Sequence, residues 1–120
     1  MPKCILIADD NYQIRQMVRS FLESRPGFQV CGEAVNGLEA IEKALALNPD
    51  MILLDFSMPM MNGIEAASLL KVMLPKVPVI LFTAFDSAAM ESDAIAAGIR
   101  AIVPKSDMER LAGHLESLLG

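Results

Sequence analysis

Five polar side chains stand where apolar runs end. Asp9 and Asp10 follow KCILIA, Asp55 follows MILL, Thr83 follows VPVILF, and Lys105 comes two residues after Ile99–Val103. Three carboxylates with a single nearby ammonium repel one another and call for a counter-cation. Oxygen ligands without a His or Cys cluster suit a hard ion. Mg²⁺ fits better than Ca²⁺, because it keeps several waters and needs only one or two carboxylates beside a phosphate. Lys105 is a compact charge of the kind that pairs with phosphate oxygens, and Thr83 supplies one hydroxyl donor. Together these groups describe phosphoryl transfer to a carboxylate, with Asp55 attacking in line. Each residue also has a plainer reading. Asp10 or Asn11 can cap the helix that follows, and Ser106 can cap the last one.

The groups meet only if the intervening chain brings the strand ends together. Lys3–Ala8 is a short apolar run suited to a buried strand, as are Met51–Leu54, Val77–Phe82 and Ile99–Val103. Phe28–Ala34 (FQVCGEA) is more polar and carries Gly32, which marks an edge strand. Between the strands lie helical patterns. Ile14, Met17, Val18, Phe21 and Leu22 form one stripe, stopped by Arg25-Pro26-Gly27. Leu38–Leu47 turns Leu38, Ile41, Leu45 and its Ala residues inward, after the Asn36-Gly37 turn. Ile64–Met73 is ended by Pro75, and Ser87–Ala97 by Gly98. Met108, Leu111, Ala112, Leu115, Leu118 and Leu119 line the last helix. Strand–helix alternation five times over predicts an α/β, doubly wound, flavodoxin-like parallel sheet with right-handed crossovers. Order 2-1-3-4-5 puts the reversal between the first and third strands, which carry the three acids.

Composition narrows the function. The 120 residues form one domain, 1–120, with 53% apolar residues and no need of metal or disulfide staples. A net charge of −5 argues against direct nucleic-acid binding, which calls for a basic face, and against an anionic membrane surface. No apolar run approaches the roughly 18 residues of a membrane span, and the N-terminus is too short for a signal peptide. Cys4 and Cys31 lack CxxC spacing and read as two reduced core thiols in a cytoplasmic protein, with a bond between neighbouring strands as the lesser alternative. His114, the only His, reads as a surface or interface residue.

The ordered set Asp9-Asp10, Asp55, then Met58, Pro59, Met61, Asn62 and Gly63, then Thr83-Ala84, then Lys105 resembles the response regulator receiver domain of bacterial two-component phosphorelay signalling, chemotaxis-regulator-like. The resemblance covers Lys3 to Leu119. It implies that Asp55 is the phosphoacceptor. Asp10 and Asp55 would ligate Mg²⁺ directly, with the Ser57 backbone carbonyl as a third protein ligand and Asp9 acting mostly through water. Lys105 would hold a phosphoryl oxygen, and Thr83 would shift toward the phosphoryl group. The donor would be a histidine kinase, a phosphotransfer protein or a small phosphodonor. The output would be partner binding or a homodimer at the face of helix four, strand five and helix five.

Two positions depart from the family pattern. Ile102 stands where many receivers place an aromatic three residues before the Lys. Ser106 follows the Lys where a Pro is common, and Pro104 precedes it. Ser57 and Phe85 occupy positions that tune phosphoryl lifetime in the family. Phe28–Ala34 with Asn36-Gly37 resembles receivers fused to helix-turn-helix domains, and no such domain stands in this sequence. The expected function is a signalling switch that catalyses only its own phosphorylation and dephosphorylation. The alternatives are a receiver-like interaction module that works without phosphorylation and, last, a phosphotransferase or phosphatase acting on a small molecule.

Overall fold

The computed structural model describes residues 1–84 and 87–120, and of Ser87 the backbone alone. Five parallel strands form one sheet: β1 (Lys3–Ala8), β2 (Phe28–Ala34), β3 (Met51–Leu54), β4 (Val79–Thr83) and β5 (Ala101–Pro104). Their order is β2-β1-β3-β4-β5, as expected. The helices are α1 (Tyr12–Glu23), α2 (Gly37–Leu47), α3 (Gly63–Met73), α4 (Glu91–Ala96) and α5 (Met108–Leu119).

Alternate strand residues feed two cores. Ile5, Ile7, Leu53, Ile80 and Phe82 pack with Val18 and Leu22 of α1 and Leu111 and Leu115 of α5. Leu6, Ala8, Ile52, Leu54 and Leu81 pack with α2, α3 and α4. Burying each large aliphatic contributes about 2 kcal/mol, so the strands are held by apolar contact on both faces. That leaves only the strand ends for polar chemistry.

Local signals set the helix starts. The Asn11 side chain accepts from the Ile14 N–H and caps α1. Asn36 caps α2, so Gly37 is the first helical residue rather than part of a turn. Asn62 and Glu65 form a reciprocal capping box on α3. Asp107, not Ser106, caps α5.

Several expectations change. Met17 of the first helical stripe is exposed, and β5 starts at Ala101 and runs to Pro104, so Ile99 and Arg100 precede it. Leu38 and Leu45 of α2 are exposed, and Gly37, Ala40, Ile41 and Ala44 face inward instead. Small residues let α2 lie close on the sheet, leaving the leucines on its outer flank. Val77 and Pro78 precede β4, since Pro78 has no N–H for the ladder. In place of one helix over Ser87–Ala97 there is a 3₁₀ turn, Ser87–Ala89, and the six-residue α4. Met90, at the start of α4, offers no side-chain oxygen as a cap. Finally, Cys4 and Cys31 are joined in a disulfide with their Cα atoms 5.4 Å apart. The β1–β2 register runs from Ile5↔Val30 to Leu6↔Gly32, so Cys31 is the extra residue of a bulge. The two cysteines are therefore not separate reduced thiols.

No helix among the described residues is long and apolar enough to cross a membrane.

Candidate functional site

The ends of β1, β3, β4 and β5 bring Asp9, Asp55, Thr83 and Lys105 to the carboxyl edge of the sheet. Asp9 and Asp55 are only 3% and 6% exposed, and Thr83 is buried, whereas Asp10 is exposed. One carboxylate oxygen from each of Asp9, Asp10 and Asp55 lies within 4.8 Å of the others. The Lys105 ammonium stands 2.7 Å from Asp9 Oδ2 and 3.2 Å from Asp55 Oδ1. Backbone bonds fix these positions. The Asp55 N–H donates to the Ala8 carbonyl at 2.9 Å, and the Lys105 N–H to the Thr83 carbonyl at 2.9 Å.

The loop after Asp55 is folded back on itself. The Gly63 N–H donates to the Phe56 carbonyl at 2.9 Å, and the Gly37 N–H to the Met61 carbonyl at 3.1 Å. A Cβ on Gly63 would lie 2.3 Å from the Asp55 carbonyl oxygen, and one on Gly37 would lie 2.3 Å from the Met61 carbonyl oxygen. Ser57 is exposed within this loop. Met60, also exposed, adopts a left-handed backbone with φ 69°.

Crowding of charge shows in the titration of the site. Burial, followed by the Asp9 carboxylate and then Asp10, pushes the Asp55 carboxyl up to about 6 against the opposing pull of Lys105. Burial pulls the Lys105 ammonium down, but Asp9 and Asp55 more than offset it and hold its pKa above the ordinary value. An excess of like charge in an all-oxygen donor set fits a hard divalent cation. The acid cluster is therefore a candidate metal centre.

A larger cavity lies elsewhere. A hollow of about 300 Å³ opens between α4, β5 and α5, lined by Glu91, Ile95, Ile99, Arg100, Ile102 and Arg110. Ile102, half-buried where an aromatic is common, forms part of its wall. Behind Asp9 and Asp55 there is a void of only about 10 Å³. A phosphoryl group and a metal ion need little volume, and the charged groups rather than the larger hollow mark the chemistry.

Sequence reasoning brought together Asp9, Asp10, Asp55, Thr83 and Lys105, and the structure places them at one edge. Phe85 lies outside the described residues. Two residues were missed. Arg15 Nη1 donates to the Asp9 carbonyl at 2.8 Å, and its Nε donates to Glu33 at 2.9 Å. The readable signal was one acid, Glu33, in an edge strand beside two arginines, Arg15 and Arg19, four apart on a helix.

Comparison with known proteins agrees with this arrangement. A family model for the response regulator receiver domain matches residues 5–116. The chain is 40% identical over 119 residues to a protein-glutamate methylesterase/protein-glutamine glutaminase of Pseudomonas syringae, covering 96% of this chain and 31% of that protein. It is 42% identical over 104 residues to the corresponding Pseudoalteromonas atlantica protein, covering 84% of this chain and 27% of that one. The chain thus spans about a third of the length of these relatives. The response regulator domain of Thermotoga maritima CheB superposes with a TM-score of 0.91 at 28% identity, covering 98% of this chain and 96% of that one. Vibrio cholerae chemotaxis protein CheY4 superposes with a TM-score of 0.88 at 29% identity, covering 99% and 100%. Receiver domains of this kind work with histidine kinases or phosphotransfer proteins. This chain belongs to the response regulator receiver domain family.

Proposed function

We propose that this chain, taken as one receiver domain over 1–120, is a phosphoacceptor switch in which Asp55 accepts a phosphoryl group from the phosphohistidine of a histidine kinase or phosphotransfer protein. An Asp55 carboxylate oxygen forms the new bond to phosphorus. The phosphorus–nitrogen bond breaks, and the imidazole leaves with the electron pair and takes up a proton. Lys105 pairs with a phosphoryl oxygen as charge moves onto Asp55, and Thr83 donates its hydroxyl to another. Asp10, Asp55 and the Ser57 carbonyl would hold Mg²⁺, with Asp9 acting through water, and the ion would neutralise phosphoryl charge when bound. The observation that carries this reading is the buried Asp55 within reach of both Lys105 and two further carboxylates.

The chain catalyses only its own phosphorylation and dephosphorylation, and its output is a change of partner or homodimer at the α4–β5–α5 face. A cytoplasmic setting follows from the kinase donor. The Cys4–Cys31 bond is uncommon in that compartment.

The test is incubation with Mg²⁺ and acetyl phosphate or phosphoramidate, followed by intact-mass measurement. A phosphoryl adduct that disappears in Asp55→Asn is expected. Absence of an adduct with every donor would favour an interaction module working without phosphorylation. Steady turnover of an unrelated phosphate ester would favour a small-molecule phosphatase.

A further inference from the structure

The edge strand β2 contributes no side chain to the acidic cluster, yet it grips the cluster through a helix residue. We propose that Arg15 is a positioning residue for phosphoryl transfer, fixing the backbone at Asp9 and through it the reach of Lys105 to Asp55. This role rests on the phosphoacceptor reading above.

Every polar atom of Asp9 is engaged. Its N–H donates to the Ala34 carbonyl of β2 at 3.0 Å, and its Oδ1 accepts from the Asn11 N–H at 2.9 Å. Its Oδ2 faces Lys105 at 2.7 Å, and its carbonyl accepts from Arg15 Nη1 at 2.8 Å. Arg15 is itself fixed, with a side chain only 12% exposed. Its Nε donates to Glu33 Oε1 at 2.9 Å, and its guanidinium lies 5.6 Å from the Tyr12 ring centre. Glu33 is held from the other side by Arg19 Nη2 at 2.6 Å. Burial raises the Glu33 carboxyl, but Arg19 and Arg15 outweigh it and hold the group below its ordinary range. One planar guanidinium thus spans from the edge strand to the Asp9 carbonyl. A Lys, a single point charge, cannot serve both partners in that geometry.

The chain of contacts then runs Glu33, Arg15, Asp9, Lys105, Asp55. Displacing Asp9 would carry Lys105 away from the oxygen that must be neutralised during transfer, and misplacements of about 1 Å can slow a reaction roughly a hundredfold.

Arg19 is the control. It also bonds Glu33, but its other hydrogen bonds go to Glu23 and the Val30 carbonyl, away from the acids. Three quantities would be measured on wild type, Arg15→Met, Arg15→Lys and Arg19→Met: the urea midpoint, Mg²⁺ affinity by calorimetry, and the maximal rate of labelling by acetyl phosphate. Arg15→Met is expected to slow labelling roughly tenfold or more and to weaken Mg²⁺ binding several-fold, with Arg15→Lys between it and wild type. Arg19→Met should lower the urea midpoint while leaving rate and Mg²⁺ affinity within about twofold of wild type. If Arg15→Met does not fold, Arg15→Lys carries the comparison. The role is overturned if the Arg15 variant that folds matches wild type in rate and Mg²⁺ affinity, or if Arg19→Met loses as much of both. A wild-type chain that neither binds Mg²⁺ nor accepts phosphate would instead reject the proposed function, and this role with it. If wild type binds Mg²⁺ but takes no phosphate, the Mg²⁺ affinities alone decide.

Discussion

The two edges of the sheet are built differently. At one edge, β2 is bonded to β1 through Cys4–Cys31 and held to α1 by the Arg15 and Arg19 pairs with Glu33. The Lys43 ammonium of α2 adds a bond to the Glu33 carbonyl. At the other edge, β5 has four residues, α4 has six, and a hollow of about 300 Å³ separates parts of α4, β5 and α5. Ile95 of α4 is 67% exposed beside it. The tied edge supplies no side chain to the acidic cluster, whereas the open edge supplies Lys105. The group that would bind phosphate therefore sits just after the strand with spare volume next to it. Asp55, the proposed phosphoacceptor, sits between the two edges, just past the end of the fully buried strand β3. This division fits a switch in which one side holds the chemistry still and the other has room to rearrange.

The largest expected effect tests the tied edge. The disulfide closes a separation of 27 residues, so Cys31→Ser should lower unfolding stability by about 3–4 kcal/mol in non-reducing urea titrations. A midpoint equal to wild type would make the two edges equivalent.

Next comes the centre. Asp55 titrates near 6 when folded, above its unfolded value near 3.8. A raised acid stabilises the fold below its unfolded pKa, and that stability is lost as pH rises through the folded one. In metal-free buffer, stability should fall by about 2–3 kcal/mol between pH 4 and 7, and Asp55→Asn should flatten this slope. Glu33 has the opposite sign. Its lowered pKa adds stability above 4.5 that disappears as pH falls below it. Urea midpoints measured across this range in wild type, Asp55→Asn and Glu33→Gln would separate centre from edge.

Enlarging side chains compares packing on the two sides. Ala44, fully buried on the inward face of α2, leaves no space, so Ala44→Leu should cost about 1–3 kcal/mol. Ile102→Phe points its extra volume toward the hollow and should stay within about 1 kcal/mol of wild type. If both cost the same by urea titration, the hollow is not usable volume. The smallest effect is expected at Ile95. Ile95→Ser removes an exposed side chain and should change stability by less than about 0.5 kcal/mol.

Much of this architecture was legible in the chain. The apolar runs ending in Asp9, Asp55 and Thr83 gave the strands and their common edge, because periodicity and burial agree there. The inward face of α2 was misread because hydrophobicity favours Leu38 and Leu45, while close helix–sheet contact selects Ala40 and Ala44. The disulfide was hidden by the bulge at Cys31, a register shift that no local pattern announces. The break in the fourth helix depended on what Met90 lacks, a capping oxygen, amid an Ala-rich run that reads as continuous helix. Arg15 escaped notice because its partner in the site is a backbone carbonyl, which carries no sequence signature.

The contacts at Gly37 and Gly63 have a consequence for how such a protein can diversify. A side chain at either position would occupy the place of a backbone oxygen in the Asp55 loop. Substitution there cannot be absorbed by repacking neighbours, so change at those sites is closed to gradual exploration. Around the hollow beside β5, by contrast, there is spare volume for a side chain of different size. That face can thus change in sequence while the backbone around Asp55 stays as it is.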